Sequence, residues 1–134
     1  MSQTFTLSRD YAAAPERLFR AWTDLATLTR WFGCGDNMLW TVHEWDVRPG
    51  GAIHVSLQFP NGPFVVHGEF LEVEAPTKLA YRWNGEERIE VEIMPHGTGS
   101  RMTLTHSNIA DGFDSSILTN GWTVGMEMLS KAVA

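Results

Sequence analysis

Apolar residues occupy alternate positions through most of region 41–107, and Gly and Pro residues interrupt this pattern at short intervals. A period of two is typical of strands that bury one face, and the frequent interruptions are typical of tight turns. The region is therefore predicted to form six consecutive antiparallel strands. A further strand is predicted over 4–11, where Phe5 and Leu7 alternate with polar residues.

Helical patterns lie on both sides of the long strand region. Pro15 suits the first turn of a short helix, because its missing N–H costs nothing there, and Asp24 is the predicted N-cap of a second short helix. Residues 111–134 contain no Pro and carry apolar residues at helical spacing, which predicts a long C-terminal helix. The buried side of the second helix is expected to comprise Leu25, Leu28, Trp31 and Phe32.

These elements predict one α+β domain over residues 1–134. Its curved antiparallel sheet has about seven strands and is accompanied by two short helices and the long C-terminal helix. A bent sheet closed by a helix encloses an interior, which favours a container for a small molecule. Gly121 and Gly125 in the last helix would each cost roughly 1 kcal/mol. Close approach to the sheet or room for a ligand would offset that cost.

The second hairpin of the strand region is predicted from its turn. A two-residue turn at 61–62 would place Phe59 opposite Phe64. Phe70 and Leu71 are adjacent apolar residues, and they predict a bulge or sharp bend that helps the sheet to curl.

Two further turns predict the pairing in the middle of the sheet. A two-residue turn at 97–98 places Ile89 opposite His106. A three-residue loop at 84–86 places Tyr81 opposite Ile89 and keeps one apolar face continuous.

Tyr81 and His106 are the polar residues on that predicted apolar face. They resemble the few convergent polar groups of a ligand site, although they could also satisfy each other or the backbone in a packed core. The sequence places no carboxylate beside them, so a hydrolytic triad has little support. The charge cluster of Glu86, Glu87 and Arg88 with Glu90 and Glu92 is interpreted as a solvated strand edge. The predicted ligand-binding residues are Val55, Leu57, Phe70, Tyr81, Trp83, Ile89, Val91, Leu104, His106, Gly121, Trp122 and Gly125.

Composition excludes several partners. A net charge of −6 argues against nucleic acid and anionic membranes. There is no apolar run of membrane-spanning length, no signal-peptide pattern and only one cysteine, Cys34. A cytoplasmic protein is therefore expected, as a monomer or a homodimer.

No cofactor or metal is predicted. The glycine pairs at 33–35 and 50–51 lack the other residues of nucleotide-binding loops. His54 and His67 are predicted diagonal neighbours with Glu69 opposite His54, and a solvated cluster is favoured over a metal site.

The six Trp residues permit two interpretations. They could form a large core, or some of their rings could line a ligand cavity. Trp40 and Trp45, if exposed, would instead be anchors for a protein partner.

Several stretches of the sequence resemble the SRPBCC superfamily, which has the START-like or birch-pollen-allergen-like helix-grip fold. They are APERLFRAWTDLATLTRWFG, VRPGG, GEFLEVEAPTKLAYRW, GTGSRMTLTH and NGW. The branch that they resemble contains relatives of the C-terminal domain of the Hsp90 ATPase activator. The superfamily includes carriers of lipids and hormones, cyclases and co-chaperone domains, so the fold does not select a function.

Three functions are therefore considered. The first is binding of a small hydrophobic or amphipathic molecule between the sheet and the C-terminal helix. The second is a cofactor-independent enzyme, cyclase-like or hydratase-like, that uses His106 and Tyr81 for proton transfer. The third is a protein-interaction or co-chaperone-like module.

Overall fold

The computed structural model describes residues 2–32, 40–59 and 62–134. Within these ranges the order of elements is the predicted one, with one strand, two short helices, six strands and a long helix. The elements are β1 (Gln3–Tyr11), α1 (Pro15–Thr23), α2 (Leu25–Leu28), β2 (Trp40–Trp45), β3 (Ala52–Phe59), β4 (Gly62–Glu74), β5 (Lys78–Trp83), β6 (Glu87–His96), β7 (Gly99–Ile109) and α3 (Ser115–Ala132).

The described strands form one curved antiparallel sheet of seven strands in the order β1-β7-β6-β5-β4-β3-β2. The predicted α+β class and helix-grip architecture are confirmed. Strands β1 and β2 lie at the two edges, and β6 lies in the interior of the sheet. One face, here called the inner face, packs against the helices. The outer face is the opposite one.

The middle of the sheet has the predicted register. Tyr81 on β5 pairs with Ile89 on β6, and Ile89 pairs with His106 on β7. A bulge between Phe70 and Glu72 interrupts the pairing of β4 with β5, which confirms the predicted irregularity.

The hairpin of β3 and β4 differs from the prediction by two residues. Phe59 pairs with Gly62, and Phe64 pairs with Leu57 instead of Phe59. A shift of two residues leaves every side chain on its predicted face, so the alternation of apolar residues could not detect it. Phe64 is consequently exposed near the end of the hairpin, outside the packed interior.

The helix termini confirm one prediction and correct two. Asp24 caps α2, since its side chain accepts a hydrogen bond from the Thr27 amide. The helix is shorter than expected and Leu25 is half exposed, whereas the other three residues of its predicted buried side are buried. Helix α3 begins at Ser115 and not at residue 111, because the Asp114 carboxylate accepts from the Ser116 amide and ends the preceding turn. The predicted glycine stop at 33–35 and Cys34 lie outside the described residues.

The core lies between the inner face of the sheet and the three helices. Helix α1 contributes Leu18 and Trp22, both fully buried, and α3 contributes Met126 and Leu129 from its second half. Among the described residues, no helix is both long and apolar enough to cross a membrane.

Candidate functional site

Tyr81 occupies the centre of the inner face. It lies on β5 between Phe70 of β4 and Ile89 of β6, and it has no solvent exposure. The centroid of its ring lies 5.6 Å from that of Trp45 and 6.3 Å from that of Trp22. The Tyr81 hydroxyl is buried and has no hydrogen-bond partner among the described residues.

Aromatic rings connect Tyr81 with helix α3. Trp22 lies between the two, because its ring centroid is also 6.1 Å from that of Trp122. Phe32 makes a second connection, with ring centroids 5.3 Å from Trp45 and 6.4 Å from Trp122. Neighbouring aromatic rings therefore connect the centre of the sheet with α3.

The Trp residues that the structure describes divide by burial. Trp22 and Trp31 are fully buried members of the core, whereas Trp45, Trp83 and Trp122 are partly exposed at its margin. The Trp45 indole donates to the Trp22 carbonyl at 2.8 Å, so Trp45 is not the exposed anchor that the interaction hypothesis needs. The side chain of Trp40, the other expected anchor, lies outside the described residues.

His106 lies two strands from Tyr81 and has its own partners. It is 1% exposed. The Trp122 indole N–H donates to its Nδ1 at 3.0 Å. Nδ1 must therefore be unprotonated, so the proton is on Nε2 and is donated to the Glu87 carboxylate at 2.7 Å. The predicted acid–base pair is not in contact, because Ile89 separates the two residues across the sheet.

Glu87 is a site residue that our sequence analysis missed. Its interpretation as part of a solvated strand edge is wrong, because β6 is an interior strand and the Glu87 side chain is only 20% exposed. The predicted register contained the necessary signal. Since Ile89 faces His106, Glu87 two residues earlier lies on the same face and diagonal to His106.

The two glycines of α3 have different surroundings. Gly121 is exposed, and Gly125 is buried. A Cβ added to either one would have no atom within 4 Å, apart from its own neighbourhood in the helix. Close approach to the sheet is therefore not the reason for either glycine, and Gly125 adjoins unfilled space on the buried side of the helix.

The predicted ligand-binding residues divide by burial. Trp83 and Trp122 are partly exposed, Gly121 is exposed, and the side chain of Leu57 lies outside the described residues. The rest are buried on the inner face or on α3: Val55, Phe70, Tyr81, Ile89, Val91, Leu104, His106 and Gly125. Two open hollows on the described surface lie near Phe19 and near Arg82, and neither is between the sheet and α3.

The histidines of the outer face form a stack. His54 pairs directly with His67 and not diagonally, and their ring centroids are 4.5 Å apart, with His43 4.6 Å from His54 on the other side. Desolvation, followed by the charges of His67 and His43, lowers the pKa of His54. Glu69 pairs with Arg82 instead of facing His54. In the described ranges, no group of three or more His, Cys, Asp or Glu residues is arranged to hold a metal.

Solved structures share this architecture. A protein from Chromobacterium violaceum is 26% identical, with 96% of each chain covered and a TM-score of 0.88. A protein from Rhizobium loti is also 26% identical, and the match covers 98% of this chain and 97% of the other with a TM-score of 0.78. An AHSA1-like protein from Aeromonas hydrophila is 19% identical over 98% and 92% of the two chains, with a TM-score of 0.82, which shows a common fold.

Sequence comparison identifies the family. Comparison with curated proteins gives no match. The model of the family described as "Activator of Hsp90 ATPase homolog 1-like protein" matches residues 12–134, which is nearly the whole chain. The chain therefore belongs to the AHSA1-like family and has the SRPBCC-type fold.

Proposed function

We propose that this protein binds a small hydrophobic or amphipathic molecule between the inner face of the sheet and α3. The observation that carries the proposal is the space beside Gly125, which is buried although a Cβ there would have no atom within 4 Å. Protein interiors are normally packed without such gaps. The fold commonly binds hydrophobic ligands.

The walls near this space suit an apolar ligand. Trp122 precedes Gly125 by three residues and therefore lies on the same side of the helix. It is partly exposed, and its ring is close to those of Trp22 and Phe32. Aromatic walls with few polar groups are typical of small-molecule sites.

Ligand entry requires movement, because aromatic side chains fill the interior around Tyr81. The first half of α3, residues 115–124, is the element able to move. The structure describes all of these residues, and none is buried, so few contacts are lost when they shift.

Native mass spectrometry of freshly purified protein tests the proposal directly. A bound small molecule is expected as a mass above that of the chain, and it should dissociate on collisional activation. A second test uses a panel of hydrophobic dyes, which should change the Trp emission and raise the melting temperature. A single unliganded mass together with no response to the dyes would contradict the proposal.

A pair of substitutions on α3 locates the site. Gly125→Leu places a side chain in the buried space and is expected to weaken dye binding at least tenfold. Gly121→Leu makes the same change one turn earlier, at a position that is exposed, and dye affinity should be unchanged. Circular dichroism confirms that each variant is folded, and Gly125→Ala provides a smaller step. Equal affinities for all variants would place binding elsewhere.

A further inference from the structure

The Tyr81 hydroxyl is a buried hydrogen-bond donor without an acceptor among the described residues. Most buried polar side-chain atoms in proteins have a partner, and an unpaired one destabilises the folded state. Burial also raises the pKa of Tyr81 well above its ordinary value. The hydroxyl therefore keeps its proton and remains a donor at any physiological pH.

The donors around Tyr81 already have partners. The indole N–H groups of Trp45 and Trp31 donate to backbone carbonyls at 2.8 and 2.9 Å, and that of Trp22 donates to the sulfur of Met102 at 3.3 Å. Among the described residues, a ligand that reaches this part of the interior therefore meets aromatic surfaces and the unpaired hydroxyl of Tyr81.

We propose that the ligand is an uncharged molecule with an aromatic or aliphatic body and one oxygen that accepts a hydrogen bond from the Tyr81 hydroxyl. A ketone, an ester or an ether has this chemistry. The proposal rests on the proposed function, since it assigns a ligand class to the same site. The apolar body is stabilised by the aromatic walls, and the oxygen satisfies the buried Tyr81 hydroxyl, which the described residues leave without an acceptor.

Charged ligands fit this interior poorly. A carboxylate could accept from Tyr81, but moving it from water into aromatic surroundings without a compensating cation is strongly unfavourable. Burial raises the pKa of Tyr81, and no cationic side chain among the described residues is hydrogen-bonded to its hydroxyl. A positively charged ligand offers no acceptor for the hydroxyl proton.

Three probes of similar size test the ligand class. Acetophenone has the accepting oxygen, α-methylstyrene replaces that oxygen with a methylene group, and benzoate adds a negative charge. Dissociation constants are measured by NMR titration for the native chain and for Tyr81→Phe. Acetophenone should bind the variant about tenfold more weakly, as expected for the loss of one hydrogen bond of ~1.4 kcal/mol. α-Methylstyrene should bind both proteins equally, and benzoate should bind neither.

Tyr11→Phe is the matched control, because Tyr11 is the other tyrosine of the chain and its hydroxyl donates to the Met126 carbonyl at 3.3 Å. Tyr11→Phe should leave all probe affinities unchanged and lower the melting temperature, whereas Tyr81→Phe should raise it because an unpaired hydroxyl is removed. If acetophenone binds the native chain and Tyr81→Phe equally, or if benzoate binds as well as acetophenone, the ligand class is wrong and the binding function stands. If none of the probes binds any variant while the dyes do bind, the ligand class is wrong, and if the dyes also fail to bind, the binding function is wrong too.

Discussion

The two halves of α3 differ in how they are held. In residues 115–124, all described by the structure, no side chain is buried, and Ile117 and Val124 are exposed. In residues 125–132 the buried side is continuous and contains Leu129, which has no exposure. One helix thus combines a weakly packed segment with a core element.

Hydrogen bonds follow the same division. The second half accepts from Tyr11 through the Met126 carbonyl, and the Arg17 guanidinium donates to the Val133 carbonyl just beyond it at 2.9 Å. In the first half, the Trp122 indole donates to His106 at 3.0 Å. Segments with few buried contacts open at lower free-energy cost than core segments. The second half of α3 therefore holds the helix on the core, and under the proposed function the first half is where a ligand is expected to enter.

The largest expected change in the free energy of unfolding comes from a substitution in the second half of α3. Leu129→Ala should lower the free energy of unfolding by about 3 kcal/mol, because it removes a fully buried side chain and leaves a cavity. Ile117→Ala is the matched control in the first half and should change it by less than about 0.5 kcal/mol. Urea denaturation measures both. Comparable losses would remove the distinction between the two halves.

The next largest change in stability is expected when the hydrogen bond from the Trp122 indole to His106 is removed. Trp122→Phe should destabilise the protein by about 2 kcal/mol, since it leaves Nδ1 of the buried His106 without a donor. A double-mutant cycle with His106→Leu separates this bond from lost packing. A coupling energy of about 1 kcal/mol is expected, and additive effects of the two substitutions would show that the bond contributes nothing.

Filling the space beside Gly125, where the two halves of α3 meet, is expected to stabilise the protein. Gly121→Ala should stabilise the protein by about 1 kcal/mol through helix propensity alone. Gly125→Ala should stabilise it by nearly 2 kcal/mol, because its methyl group is also buried in unfilled space. Thermal unfolding compares them, and a loss of stability for Gly125→Ala would mean that the space is already filled.

The smallest expected effect is a pH dependence in the stability of the first turn of α3, which Asp114 caps. Hydrogen bonds from the Ser116 side chain and amide lower the pKa of Asp114 below its ordinary 3.8. The folded state therefore favours the charged form, which contributes its full stabilisation above pH 3.8 and loses it as the pH falls through the lowered pKa. Asp114→Asn retains a cap without titrating. Hydrogen exchange in the first turn of α3 should be slower in the native chain than in the variant at neutral pH, and this difference should vanish in acid. A difference that persists in acid would contradict the prediction.

Much of the fold could be predicted because apolar residues alternate with polar ones along most of the strands. The loop at 84–86 had one register that kept Tyr81 and Ile89 on a continuous apolar face, and the structure has that register. The turn near Gly62 had two such registers, because a shift of two residues preserves the face, and the prediction selected the wrong one.

The candidate site was less predictable. Burial of Tyr81 and His106 followed from the alternation of apolar residues, but their hydrogen bonding did not. Whether a hydroxyl finds an acceptor depends on positions within a few tenths of an ångström. The Trp122 indole belongs to α3, and the alternation of apolar residues in the strands does not indicate how that helix is oriented against the sheet. Glu87 was accessible from the predicted register and was missed because runs of acidic residues usually face water.

The hydrogen bonds of His106 place its ring proton on Nε2, because the Trp122 indole donates to Nδ1 and the Glu87 carboxylate accepts from Nε2. Lifting the helix away from the sheet would leave Nδ1 open to water and allow the proton to exchange between the two positions. The nitrogen-15 resonances of a single imidazole would therefore report whether the helix is seated or raised.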